Sequence, residues 1–201
     1  MATREQRAST PMAYGSLMSL ARSLVGAPLR ELRARILGGH PVEPRALEGW
    51  AYRGTSLGLA VVERFTWKTF QKTFHRDPRT GRLMGWNVRL HQDGLDAPSR
   101  PIRDGASGRP RCVWHYEVIE PRGVAFPRGF DRGLIIDYGR ASNPRFDPIN
   151  WVKDPLVALE PGNMDELLGV SYSVVAGLCI ETPTYFMLVR EQRIDFVPEV
   201  L

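Results

Sequence analysis

Cysteine is scarce: Cys112 and Cys179 are the two in 201 residues. Two thiols, each inside an apolar run, fit buried free cysteines better than a disulfide framework, and neither stands at metal-ligand spacing. The four histidines, His40, His75, His91 and His115, are dispersed without a partner at ligand spacing, so no metal site is expected. Phosphate loops, G-x-S-x-G elbows, H-E-x-x-H and paired C-x-x-C motifs are all missing, and with them any motif that names a reaction or a cofactor. Long apolar runs are missing too: none reaches the roughly 18 residues of a membrane span. The run from Leu17 to Val25 is interrupted by Arg22 and lacks a cleavage site, so it does not read as a signal peptide. A cytoplasmic protein is the expectation these absences leave.

What is present is an ordinary globular composition, 43% hydrophobic and 24% charged, in a length that suits one domain with an ordered extension. The net charge is +5 and the pI about 9.6. Arginine supplies nearly all the positive charge but is spread from Arg4 to Arg145 among acids, and from Asp147 onward nine carboxylates face Lys153, Arg190 and Arg193. Nucleic-acid binding needs a concentrated stripe or a known module, and neither is visible, so no nucleic-acid partner is expected.

Residues 1–47 read as a helical extension and linker, and residues 48–201 as the main domain. Leu17, Leu20, Ala21 and Leu24 recur at helical spacing behind a capping Ser16, and Gly26 ends that helix. Pro28 opens a second, whose Leu29, Leu32 and Ile36 share a face and which Gly38 and Gly39 stop. Packing of this pair on the main domain is the first expectation, since short amphipathic helices gain their stability that way; contact with a membrane surface through their arginines is the alternative. Oligomeric state is not legible.

From Glu48 the pattern turns to β. Trp50, Tyr52 and Gly54 alternate along a first strand. Gly58 to Phe70 is ambiguous and leans to helix through Trp67. Lys68 to Arg76 and Leu83 to His91 form a hairpin about the turn Asp77-Pro78-Arg79-Thr80-Gly81. Asp93 to Pro110 is a polar loop of the length that often overhangs a site. Strands follow at Arg111 to Ile119, Arg132 to Tyr138, Leu156 to Glu160, Leu167 to Ala176 and Thr184 to Arg190, with a tail from Asp195. Such a succession of short strands predicts a mainly β fold: an antiparallel, closed or nearly closed barrel of about eight strands, with an interior sized for packed side chains or one small ligand.

Gly49, Trp50, Tyr52 and Gly54 in the first strand, Asp137-Tyr138 in a late one and Leu167-Leu168-Gly169 after the Pro161-Gly162 turn give the chain a pattern that resembles the lipocalin-like (calycin) barrels and, more loosely, the small bacterial proteins of the G-x-W-x-G motif. The resemblance spans about residues 48 to 190. It implies binding of a small, mostly apolar molecule inside the barrel; some such barrels also isomerise or cyclise the molecules they hold.

Several residues are candidates for that role. Asp137 sits in an apolar strand, where an unpaired charge would cost several kcal/mol, roughly, so it is either exposed or paired. Lys72, among Phe70, Thr73 and Phe74, either snorkels to solvent or points inward, where it would pair with a carboxylate such as Asp137 or hold an acidic head group. Asn87, Arg89 and His91 share one face of a strand and Trp86 lies on the other; if the first face points inward it gives a polar floor, and if Trp86 does, the three are merely the wet side. Tyr52, Trp86, Trp114 and Tyr116 supply aromatic walls. His115, near Glu117, or Asp137 is a candidate general base, with Tyr138 as polarising acid, against the plainer reading of an outward polar face. Two functions follow: a binding protein for a small hydrophobic or amphipathic molecule, with these aromatics and Lys72, Asn87 and Arg89 as its contacts, or a cofactor-independent isomerase or cyclase in the same pocket.

Overall fold

A computed structural model describes residues 22–58, 67–127 and 129–199. Eight strands run antiparallel, each beside the next: β1 (Trp50–Ser56), β2 (Thr69–Arg76), β3 (Leu83–Arg89), β4 (Cys112–Ile119), β5 (Leu134–Asp137), β6 (Val152–Ala158), β7 (Glu166–Val175) and β8 (Leu178–Arg193). The last pairs back onto the first, Gly54 opposite Leu188, and closes the barrel without a free edge.

Period-2 alternation sorts the side chains into two layers. Tyr52, Phe74, Leu83, Tyr116, Ile136, Tyr138, Leu156 and Leu188 fill the interior. Leu168, Val170, Met187 and Val157 point outward and are covered by Leu32 and Ile36 of helix α1 (Leu29–Leu37). Those two buried residues, one turn apart, hold the helix on the wall, each contributing about 1.5–3 kcal/mol. At Gly39 the chain comes so close to β6 that a Cβ would lie 2.4 Å from the Val157 side chain. Of the two helices expected ahead of the barrel, the one over Leu17 to Leu24 lies largely outside the described residues, as does the helix expected between Gly58 and Trp67. No helix among the described residues is long and apolar enough to cross a membrane.

The two ends of the barrel differ. At the end where β1 begins, the short helix α2 (Pro44–Leu47) inserts Leu47 into the interior cluster beside Met164. Arg190 ties the same end together: its guanidinium donates to Tyr52 Oη (3.1 Å) and the Ala46 carbonyl (3.0 Å), pairs with Asp165 (3.1 Å) and lies 4.8 Å from the Trp50 ring centre. The other end, where β1 finishes and β2 begins, holds an open cavity.

Three sequence expectations are corrected here. The loop after β3 does not overhang the opening; it lies on the outer wall, where Arg53 donates to Ser99 Oγ and the Gly94 carbonyl. Strand β8 starts at Leu178, not Thr184, because Ala176 and Gly177 both take positive φ (49° and 79°) and make a two-residue hairpin turn with Val175 opposite Leu178. Pro183 is tolerated inside it because β1 pairs only with residues from Phe186 onward. Strand β6 begins at Val152, ahead of Asp154-Pro155; its pairing with β7 passes from Lys153↔Tyr172 to Leu156↔Gly169, leaving the proline, which has no N–H, in the gap.

Candidate functional site

The cavity has a volume of about 240 Å³, a little under the roughly 300–1,000 Å³ of drug-sized ligand sites. Its walls include Trp67, Phe70, Trp114, Ile149, Val152 and Phe186, and its polar groups are Lys72, Asn87, Tyr138, Asp154, Ser171, Ser56, Thr182 and Thr184. Trp67 stacks on Trp114 (4.8 Å between centres, 22° between planes), and the Arg89 guanidinium lies 5.0 Å from the Trp67 ring centre on the way to the mouth.

Five polar side chains meet at the base. Lys72 Nζ donates to Tyr138 Oη (2.5 Å), Asn87 Oδ1 (3.1 Å) and Asp154 Oδ2 (3.3 Å). Asp154 also accepts from Tyr138 Oη (3.0 Å) and from Ser171 Oγ (2.7 Å). Each side chain of the Lys72–Asp154 ion pair is 3% exposed. Around the ammonium stand the rings of Tyr116 at 5.0 Å, Phe186 at 5.2 Å and Phe70 at 5.7 Å, an arrangement that stabilises a desolvated cation by cation–π attraction, while Tyr138 meets it through the hydroxyl. Burial lowers the Lys72 pKa below the ordinary lysine value, and the Asp154 carboxylate opposes that shift in part. Burial and the same carboxylate push the Tyr138 phenol well above its ordinary value, so at neutral pH it is a hydrogen-bond donor.

Missing Cβ atoms make room for these rings. A Cβ on Gly54 would lie 2.2 Å from the Phe70 ring, on Gly169 2.2 Å from the Phe186 ring, and on Gly85 2.3 Å from the Tyr116 ring and 2.1 Å from the Thr73 carbonyl oxygen. All three glycines belong to inward-facing positions, and each lets an aromatic ring from a neighbouring strand fold over the interior.

Of the residues expected from sequence, Lys72, Asn87, Trp114 and Tyr138 line the cavity, and Tyr116 touches it through Lys72. The inward face of β3 is the one with Asn87; Trp86 faces outward, packed with Val88, Leu90 and Ile194 and with its ring 6.1 Å from that of Phe196 in the tail. Arg89 reaches the site only through Trp67, and Tyr52 lies at the closed end, donating to the Met164 carbonyl (2.8 Å). His91 is exposed.

His115 and Asp137 lie outside the cavity. The backbone N–H and carbonyl of His115 are bridged by Asn143 (2.9 and 2.8 Å), and burial alone depresses its pKa. Asp137 is 2% exposed and paired, as a charge in an apolar strand requires. Its partners are Lys153 and Arg140 rather than Lys72, and its carboxylate also caps the Tyr138–Arg140 turn through the Gly139 N–H (3.0 Å).

Asp154 is the partner of Lys72 that sequence reasoning overlooked. The signal existed: Val152, Asp154, Leu156 and Ala158 alternate on one apolar face, a charge among apolar neighbours just as Asp137 is. The proline after Asp154 concealed it by suggesting that the strand began later. Ser171 and the rings of Trp67, Phe70 and Phe186 were also missed. In β4 a bulge separates residues that alternation places on one face: Trp114 takes φ 51° and the register shifts opposite Gly85 and Asn87, so Cys112 joins the outer cluster while Trp114 and Tyr116 stay inside as expected.

Among the described residues no group of three or more His, Cys, Asp or Glu side chains is placed to hold a metal ion. Fold and cavity together define a β-barrel sealed at one end and compatible with a small ligand at the other. Comparison with protein-family models, with curated proteins and with solved structures finds no match to this chain.

Proposed function

We propose that the protein binds a small, mainly apolar molecule in the open half of the barrel, with an oxygen-bearing end turned toward Lys72, Tyr138 and Asn87. The observation that carries this reading is a buried ammonium at the base of a cavity whose remaining walls are largely aromatic and aliphatic. Ser56 adds to it: its buried hydroxyl lines the cavity and has no hydrogen-bond partner among the described residues, a deficit that a ligand or a water would make good. A relation to the lipocalin-like barrels is supported by the closed eight-strand meander and by the place of Gly49 and Trp50 at the entry to β1. The two free cysteines suit a reducing, cytoplasmic setting.

One observation favours the second reading, a cofactor-independent isomerase or cyclase. Lys72, Asp154 and Tyr138 are in mutual hydrogen-bond contact at the cavity base, so a proton has an acceptor and a donor within reach of a bound substrate. In that reading Tyr138 polarises the substrate oxygen and the Lys72–Asp154 pair exchanges the proton.

The test is a titration with small apolar carboxylates, ketones and alcohols, followed by tryptophan fluorescence and thermal shift, beside native mass spectrometry of protein from its own host. Binding should quench Trp67 and Trp114 and vanish in Thr184→Trp, which fills the cavity. Absence of any quench, shift or co-purifying molecule would remove the binding reading.

A further inference from the structure

Lys72 is one of three lysines among 27 basic residues, the others being Lys68 and Lys153. Arginine supplies all the rest, yet the most deeply buried cation among the described residues is the type whose charge can be removed. An arginine would serve a purely structural pair with Asp154 and could not lose its proton. An amine can, and then it is a nucleophile.

We propose that Lys72 captures carbonyl compounds: its Nζ condenses with an aldehyde or ketone at the base of the cavity, and Asp154 is the counter-ion of the resulting iminium. This rests on the binding reading and adds to it the ligand class and a covalent bond.

The geometry supplies each part of the step. Asp154 Oδ2, 3.3 Å from Nζ, takes a proton from the ammonium. The freed nitrogen pair attacks the carbonyl carbon, and the C=O π pair moves to oxygen. Tyr138 Oη, 2.5 Å from Nζ and 3.0 Å from Asp154 Oδ2, bridges amine and carboxylate and relays the proton to that oxygen, giving a carbinolamine. The nitrogen pair then expels the hydroxyl, which leaves as water once a second proton has passed along the same bridge, this one from the nitrogen. Ammonium plus carbonyl gives iminium plus water, with no redox change and no net proton uptake. The product keeps its positive charge where the ammonium stood, among the rings of Tyr116, Phe186 and Phe70 that already surround it and beside the same carboxylate. The burial that depresses the Lys72 pKa enlarges the neutral, reactive fraction.

The test uses the full chain, cinnamaldehyde as probe and cinnamyl alcohol as the matched compound without a carbonyl. With cyanoborohydride present, intact mass and peptide mapping of the wild type should find one reduced adduct, at Lys72 at least ten times faster than at Lys68, Lys153 or the N-terminus. The alcohol should give none. Tyr138→Phe should slow the labelling at least tenfold. The wild-type map alone separates the outcomes, so a variant that fails to fold does not leave the question open. If fluorescence reports that the aldehyde binds while Lys72 labels no faster than the other amines, the covalent step is overturned and the container stands. If neither compound binds and Lys72 is unmodified, both fall.

Discussion

Replacing Lys72 by methionine keeps the length of the side chain and removes its charge, leaving Asp154 buried with two donors, Tyr138 (3.0 Å) and Ser171 (2.7 Å), in place of three. Removing one partner of a buried pair costs roughly 3–5 kcal/mol, and the two surviving hydrogen bonds place this case at the lower end, about 3 kcal/mol. For a chain of this size that is a fall of roughly 6–12 °C in Tm. The double variant Lys72→Met/Asp154→Leu removes both charges, leaves Tyr138 and Ser171 each with one hydrogen bond fewer at a combined cost of about 2 kcal/mol, and should be more stable than the single one. The assay is urea unfolding followed by tryptophan emission, with the m-value checked for constancy and the four proteins combined in a double-mutant cycle. A coupling of about 2 kcal/mol or more is expected. Additivity within roughly 0.5 kcal/mol would mean that the two charges do not depend on one another, and the electrostatic picture of the cavity base would be refuted.

Other outcomes follow from the same structure. Because the folded-state pKa of Lys72 is depressed, the unfolded chain binds more protons between that value and the ordinary lysine pKa, so the stability of the wild type relative to Lys72→Met should rise as pH increases above neutrality. The comparison is read below about pH 10, where phenols begin to ionise; above that, Tyr52, raised to about 12, and Tyr138 act with the opposite sign, since the unfolded chain loses those protons first. Gly85→Ala would set a methyl 2.1 Å from the Thr73 carbonyl oxygen, a backbone atom that cannot swing away, and should cost about 3 kcal/mol in urea. Gly105→Ala, with open space around it, should stay within roughly 0.5 kcal/mol; equal effects would contradict the steric argument. Burial pushes the Cys112 thiol up to about 11, so its reaction with a disulfide reagent near pH 7.5 should run roughly a hundredfold slower than that of an unhindered thiol, and ordinary reactivity would count against its placement under the outer cluster.

The fold was legible where local chemistry and period agree. The β2–β3 hairpin announced itself through Asp77, whose carboxylate accepts from the Arg79 N–H (2.9 Å) and the Thr80 hydroxyl (2.8 Å) and fixes the turn. The succession of such segments was enough to give an antiparallel closed barrel. Which face of a strand looks inward was not legible, because alternation is symmetric until a neighbour breaks the tie: Trp86 and Asn87 exchange roles with a slip of one residue. The proline after Asp154 interrupts the period where the cavity is built and hid the carboxylate that meets Lys72, whereas Trp114 and Tyr116 keep their alternation and were legible as walls. Asp137 and Asp154 make the point together. Both are acids in apolar strands, and pairing was foreseeable for either; only the register of β5 against β6, Ile136 opposite Asp154, decides which carboxylate meets Lys72.

The plug formed by Leu47, Met164 and the Arg190 network leaves a guest no through-route: it must back out by the door it came in. Entry and exit therefore cross the same threshold, and a change at that threshold alters both rates in equal proportion. Trp151, 57% exposed beside the opening and not among the residues that line it, is the position at which such a change should alter the tempo of exchange while leaving occupancy at equilibrium as it was.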